Sequence, residues 1–276
     1  MYGIEKPAIV RDSHLNGTLC GDREVFRLTA AWEVIVIADP TLNQLIAAVP
    51  EASFRRWLPS LQPIEMSVGS ILFEPHETAS HVYFPATATV SLLYVLETGA
   101  SIEVAMVGSE GVVGMSMLMG GLTSSRARVH SSGSGFRMRA EHLAVEMERS
   151  PEVMWLMMRH VLALLVQTGQ TAACMRHHSV EQQLCRWLLQ SLDRAPGPEI
   201  SMTQQALADM LGIRRERVAQ AALSLQEAGL IRYLRGHISV LDREGLEQRV
   251  CECYAMLKKE YRRLLPRRAR PAATGT

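Results

Sequence analysis

Hydrophobic positions along this chain change their spacing three times. After Asp39-Pro40-Thr41, a helix-start signal, Leu42, Leu45, Ile46 and Val49 fall at i, i+3, i+4 and i+7 and predict one helical stripe. Pro50 interrupts it. Phe54, Trp57, Leu58 and Leu61 continue as a second short helix, stopped near Pro59 and Pro63. From 64 to about 138 the apolar runs shorten, at 70–73, 81–84, 89–95, 102–107, 127–130 and 135–138. Turn signals divide them at Val68-Gly69, Pro75-His76-Glu77, Thr98-Gly99, Gly108-Ser109-Glu110-Gly111 and Ser132-Gly133. Short strands spaced this closely predict an antiparallel sandwich or roll.

After Ala140 the helical period returns over 140–192, broken near Ser150-Pro151, where proline suits a first helical position. Within it Met154, Met158, Val161, Leu165, Thr168, Ala172 and Met175 alternate by four and three, the spacing of a two-helix seam. The same stretch has enough other apolar residues (Trp155, Leu156, Leu162, Leu164) to pack on the preceding sheet as well. Ala195-Pro196-Gly197-Pro198 then ends the helix and reads as a linker.

The stretch beyond it carries the most specific pattern. A short helix over 203–210, with Ser201 or Thr203 as its cap, turns Ala206, Leu207 and Met210 inward. Leu211-Gly212-Ile213 is a tight turn. A second helix from Arg214 to Glu227 turns Val218, Ala221, Ala222 and Leu225 inward, and small alanines allow the two helices to cross closely. Two short helices joined by a glycine-containing turn predict a helix-turn-helix. What projects at the start of the second helix is Arg214, Arg215, Glu216, Arg217 and then Gln220. Cations at a helix N-terminus oppose the macrodipole unless an anion faces them. Arginine forks match guanine N7 and O6, and glutamate accepts from cytosine N4. Thr203 and Gln204, at the opening of the first helix, complete the DNA-facing set. Gly229 closes the second helix, and 232–241 reads as a hairpin turning at Arg235-Gly236, a wing that brings Arg232, Arg235 and His237 near phosphates. A last helix, 246–265, carries the stripe Val250, Tyr254, Leu257, Tyr261 and Leu264. It ends in Lys258, Lys259, Arg262, Arg263, Arg267, Arg268 and Arg270. That block reads either as cations complementing a helix C-terminus or as a supplementary backbone contact.

Composition narrows the function classes. The 276 residues carry 29 Lys+Arg against 28 Asp+Glu, a formal charge of +1, and are 47% apolar. This excludes a disordered chain and a globally basic nucleic-acid binder, so any DNA surface is local. Five cysteines, odd in number and without a CxxC, do not form a disulfide framework and favour a reducing, cytoplasmic compartment. A structural zinc site takes about four N/S ligands. Cys251 and Cys253 supply two, so no metal site is expected. The run at 153–166 is broken by Arg159 and His160 and is too short for a membrane span. The first 27 residues are charged throughout and are not expected to be a secretory signal. Residues 1–38 are expected to be a weakly structured extension, with the run at 34–37 a single strand or helix. No nucleophile–base grouping or phosphate loop points to an enzyme.

A β-roll, a long seam-bearing helix and a winged helix-turn-helix, in that order over about 42–245, resemble the cyclic-AMP receptor / fumarate-nitrate regulator (Crp/Fnr) superfamily of bacterial transcription regulators. Gly212-Ile213-Arg214-Arg215-Glu216-Arg217-Val218 is similar to that family's recognition-helix start, with Arg215 and Glu216 as the base-reading pair. Arg214 replaces the family's usual serine, and Gln220 replaces a frequent third base-reading arginine. The resemblance implies a palindromic DNA operator, a homodimer, RNA polymerase as a partner and a ligand-sensing roll. In that roll, cyclic-nucleotide-binding members carry a glutamate for the ribose and an arginine for the cyclic phosphate. Here those positions are Met115 and Ser125, with Arg126 and Arg128 displaced from the arginine position, so the effector pocket is expected not to hold cyclic AMP tightly. Only Cys20 lies early in the chain, where oxygen-sensing members hold an iron–sulfur cluster. His76, His81 and His130 in the roll read as surface or core residues rather than haem ligands, and Met115, Met117 and Met119 as core. No cofactor is expected.

The predicted fold is therefore α+β: an extension (1–38), a roll with flanking helices (39–150), a dimerisation helix (151–194), a linker (195–199), a winged helix-turn-helix (200–245), and a helix with a basic tail (246–276). The predicted function is a homodimeric, sequence-specific DNA-binding regulator responding to an unknown signal. The competing reading is a small-molecule-binding module acting through protein–protein contact.

Overall fold

A computed structural model describes residues 39–77, 79–120, 123–194, 197 and 199–265. The extension at 1–38, most of the 195–198 linker and the arginines beyond 265 lie outside the described residues.

The chain enters through one 3₁₀ turn, Pro40–Leu42, and the short helix α1 (Gln44–Ala48). The predicted single stripe is split here, because Asn43 caps α1: its side chain accepts from the Ile46 N–H and donates to the Pro85 and Gly111 carbonyls. Leu45, Ile46 and Val49 are buried, while Leu42 faces solvent. Helix α2 (Glu51–Trp57) follows Pro50 and buries Trp57 against Phe84.

Seven strands build the roll. One sheet is ordered β1 (Gln62–Met66), β7 (Gly133–Arg139), β3 (His81–Pro85). The other is ordered β2 (Ile71–Phe73), β6 (Arg126–Ser131), β4 (Thr89–Val95), β5 (Ser101–Val107), and every pairing is antiparallel. Six of these strands fall on the apolar runs of the sequence; β1 does not. Val82, Phe84, Val90, Val107, Ala127, Val129, Phe136 and Met138 form the buried core with Val112, Val113 and Met117.

Helix α3 (Ala140–Arg149) leads to α4 (Pro151–His177), started by Ser150, whose Oγ accepts from the Val153 N–H. Val153, Met157, His160, Ala163, Gln167, Thr171 and Cys174 form its buried face. The predicted uninterrupted dimerisation helix over 151–194 is corrected at His178. There Ser179 and Gln182 form a reciprocal capping box and start α5 (Val180–Leu192). Strand β8 (Glu199–Ser201) begins inside the predicted linker, because Ile200 is buried and the strand pairs with the wing.

The C-terminal part comprises α6 (Gln204–Leu211), α7 (Arg215–Glu227), the hairpin β9 (Ile231–Leu234) and β10 (His237–Val240), α8 (Arg243–Arg249) and α9 (Glu252–Leu264). The predicted single last helix over 246–265 is likewise two helices, divided at Val250-Cys251. Leu93 and Met106 of the roll share a buried cluster with Leu184 and Leu188 of α5 and Leu207 and Leu211 of α6. A Cβ on Gly212 would stand 2.6 Å from Ile102 of β5, so the turn between α6 and α7 rests directly on the roll. At this junction Ser91 Oγ donates to the buried Glu103 carboxylate, and burial raises that carboxyl to about 7.

Candidate nucleic-acid interface

The interface is assembled from α6, α7 and the wing. Thr203 caps α6 by accepting from the Ala206 N–H. Gly212 ends α6 in the left-handed region (φ +65°), a conformation that costs a side-chain-bearing residue about 1–2 kcal/mol. The Ile213 N–H then bonds back to the Ala208 carbonyl and redirects the chain. Arg214 is extended (φ −68°, ψ 140°) and occupies the cap position of α7 rather than its first turn. Arginine has no side-chain acceptor, and no side chain caps α7. Its first N–H groups therefore remain as donors, with a partial positive charge behind them. Val218, Ala221, Ala222 and Leu225 bury the inner face of α7.

Arg214, Arg215, Glu216, Arg217 and Gln220 are all exposed. None of the three arginines has a carboxylate partner among the described residues, although arginines elsewhere do: Arg56 with Glu146, Arg194 with Glu110 and Arg249 with Glu181. Crowding three guanidiniums at an uncapped helix start costs stability, and among the described residues only Glu216, in the same turn, acts against that cost.

The wing closes on a two-residue turn at Arg235 (φ +49°) and Gly236 (φ +83°), the mirror-image turn that suits a tight hairpin. Gly236 C=O accepts from the Met202 N–H, and Tyr233 Oη donates to the Met202 carbonyl at 2.7 Å. Tyr233 N–H also donates to Gln226 Oε1, so the wing is fixed to α7 and to the segment that leads into α6. A groove of about 420 Å³ lies between them, lined by Thr203, Gln204, Gln205, Arg215, Tyr233, Arg235 and Gly236. Four predicted residues (Thr203, Gln204, Arg215, Arg235) thus meet around one concavity. Sequence reasoning missed Gln205 and Tyr233; Tyr233 lay in the wing pattern as an unremarked strand residue. Burial pushes the Tyr233 hydroxyl up to about 12, with the Arg215 charge acting against it, so the phenol stays a neutral donor. Arg232 is exposed on β9, outside the groove. Of the basic block, Lys258 donates to Tyr254 Oη, and Arg263 pairs with Glu260.

The roll places the effector candidates differently. Met115 is half-buried in a 3₁₀ turn, Met115–Met119, entered through Gly114 (φ +98°). Ser125 precedes β6. Arg126 is engaged within the chain: its Nε lies 2.7 Å from Glu74 Oε2, and Thr123 Oγ1 donates to the Glu74 carbonyl. Arg128, on β6, stands opposite Ile71 and Ser91. His130 packs edge-on against Trp187, and burial holds its imidazole down to about 4, so it is a neutral core residue.

The profile of the Crp-like helix-turn-helix domain matches residues 182–249. The global nitrogen regulators of Synechococcus elongatus and of Synechocystis are each 26% identical to this chain. The first covers 68% of this chain and 89% of its own length, the second 75% and 96%. A transcriptional regulator of the Crp/Fnr family from Eubacterium rectale has the same fold, with a TM-score of 0.61 at 16% identity over 76% of this chain and 98% of its own. So does the c-di-GMP-responsive global regulator CLP of Xanthomonas campestris, with a TM-score of 0.57 at 18% identity over 69% and 99%.

Residues 182–249 form a Crp-like helix-turn-helix domain, and the chain has the fold of Crp/Fnr-family regulators. That DNA-binding domain is joined to an antiparallel roll of the kind its structural neighbours carry. Among the described residues no helix is long and apolar enough to cross a membrane.

Proposed function

We propose that this chain is a transcription regulator of the Crp/Fnr type that acts as a homodimer and reads a palindromic duplex site. The opening of α7 enters the major groove. Arg215 and Glu216 read base edges, Arg214, Arg217, Arg232 and Arg235 contact phosphates, and Thr203, Gln204 and Gln220 complete the contact surface. The observation that carries this reading is the exposed arginine trio at an uncapped helix start, without carboxylate partners among the described residues and beside a groove of matching residues.

Dimerisation is supported by the division of α4 into two faces. Its buried face packs within the protomer. One residue further round, Val161 and Leu165 remain 38% and 67% exposed, in line with the half-buried Met154, Met158, Thr168 and Met175 and the exposed Ala172. An apolar helical stripe of this kind gains free energy when a second copy covers it. The signal for the roll is proposed not to be cyclic AMP. Met115 supplies no carboxylate, Ser125 supplies no charge, and Arg126 is neutralised by Glu74. RNA polymerase is the partner that the Crp/Fnr resemblance implies for such a regulator. Because α6 rests on β5, a ligand that favours one roll conformation would shift the population of reader orientations.

A salt titration of binding to an operator duplex tests the DNA reading. With several phosphate contacts per protomer, affinity should fall by about 10³-fold or more between roughly 50 and 200 mM salt. Affinity that stays flat across that range would contradict the proposal and favour a protein-contact module.

A further inference from the structure

The end of α4 meets the start of α9 through four side chains that the DNA reading does not use: Cys174, His178, Cys251 and Cys253. Their ligand atoms all lie within 4.8 Å of one another. Cys174 Sγ and Cys251 Sγ are 3.6 Å apart, and Cys253 Sγ is 3.4 Å from His178 Nδ1. A tetrahedral zinc ion with Zn–S of about 2.3 Å and Zn–N of about 2.0–2.1 Å sets its ligands about 3.8 Å apart (S to S) and about 3.6 Å apart (S to N). The two distances agree with that geometry. They do not agree with a disulfide, whose sulfurs stand about 2.05 Å apart.

The surroundings suit thiolate and neutral imidazole ligands. All three cysteines are buried. His178 Nε2 lies 3.3 Å from Glu252 Oε1, which assigns the ring proton to Nε2 and leaves the Nδ1 lone pair directed at the cluster. Metal-binding histidines are oriented by such carboxylates. Gln170 Nε2 donates to Cys253 Sγ at 2.9 Å. Cys251 sits at the N-cap of α9, so its sulfur stands at the start of that helix. Three thiolates, one imidazole and no open position describe a structural site rather than a catalytic one.

We propose that Cys174, His178, Cys251 and Cys253 form a tetrahedral Cys₃His site for a zinc ion. The site pins the C-terminus of the seam-bearing helix α4 to the helix that follows the wing. It replaces the expectation of no metal, which counted only Cys251 and Cys253; folding adds Cys174 from the last turn of α4 and His178 from its C-cap.

The full chain, purified under reducing conditions from zinc-supplemented medium, should contain one zinc ion per protomer by elemental analysis. Metal-free protein titrated with Co²⁺ should develop the visible ligand-field bands and the thiolate-to-cobalt charge transfer of a tetrahedral site, and Zn²⁺ should abolish both. Cys253→Ser should lose zinc and the charge-transfer intensity. Cys185→Ser, which removes a buried thiol outside the cluster, should keep one zinc per chain. The Co²⁺ spectrum of the unaltered chain reports on the site even if Cys253→Ser does not fold. Wild-type protein with no bound zinc and an octahedral Co²⁺ spectrum, or intact mass showing a Cys174–Cys251 disulfide, would overturn the proposal.

Discussion

Replacing Arg215 with alanine is expected to weaken operator binding by about 1–3 kcal/mol per half-site and to erase the preference at the base pair it reads. Arg215 faces the groove between α6 and the wing and has no carboxylate partner among the described residues, so its loss leaves no unpaired acidic group behind. Stability should therefore hold or rise slightly, because one of three cations opposing the α7 dipole is removed. In a palindrome the loss counts twice, and the half-sites are far enough apart for the two costs to add. Arg232→Ala is the contrasting variant. From its place on β9 it should weaken all duplexes alike and lower the salt slope by about one. Anisotropy titrations against the operator and single-base variants separate the two behaviours. Unchanged discrimination in Arg215→Ala would reassign base reading to another residue.

The second large effect is expected at the seam. Leu165 is mostly solvent-exposed within one protomer, so Leu165→Glu should leave the protomer fold and its circular dichroism intact. In a two-fold seam the substitution buries two like charges close together, a cost of several kcal/mol. Sedimentation should then report a monomer where the unaltered chain sediments as a dimer. Binding to a two-half-site duplex should fall by about 10²–10⁴-fold, the loss expected when the second contact is no longer intramolecular. A variant that stays dimeric would move the interface away from Val161, Leu165 and Met158.

The parts of this fold that were legible in the sequence are those whose signal is local and repeated. Six roll strands announced themselves because each is an apolar run bounded by glycine, serine or proline. The α6–Gly212–α7 turn did so because only glycine takes the left-handed conformation there readily. Strand β1 was hidden: Pro63 lies inside it and Met66 is its only buried residue, a combination tolerated because β1 pairs on one side alone, at the edge beside β7. Strand β8 is three residues long and announced by Ile200 alone. The break at His178 contains neither glycine nor proline. Its signal is the Ser179–Gln182 capping box, masked in the sequence because Leu184, Leu188 and Leu189 continue the apolar period. The break at Cys251 has no ordinary capping residue, and its surroundings include Cys174 from a distant helix. For the same reason the four-residue cluster was invisible: its two halves are close only after folding.

Selection of bound duplexes from a random pool by the 276-residue chain tests sequence reading by paired α7 helices most directly. The expected enriched sequences contain two inverted half-sites whose centres lie about 34 Å apart, one turn of the double helix. The same selection with Arg215→Ala should lose information at one symmetric pair of positions. A pool that emerges without enrichment, or with a single unpaired half-site, would contradict it.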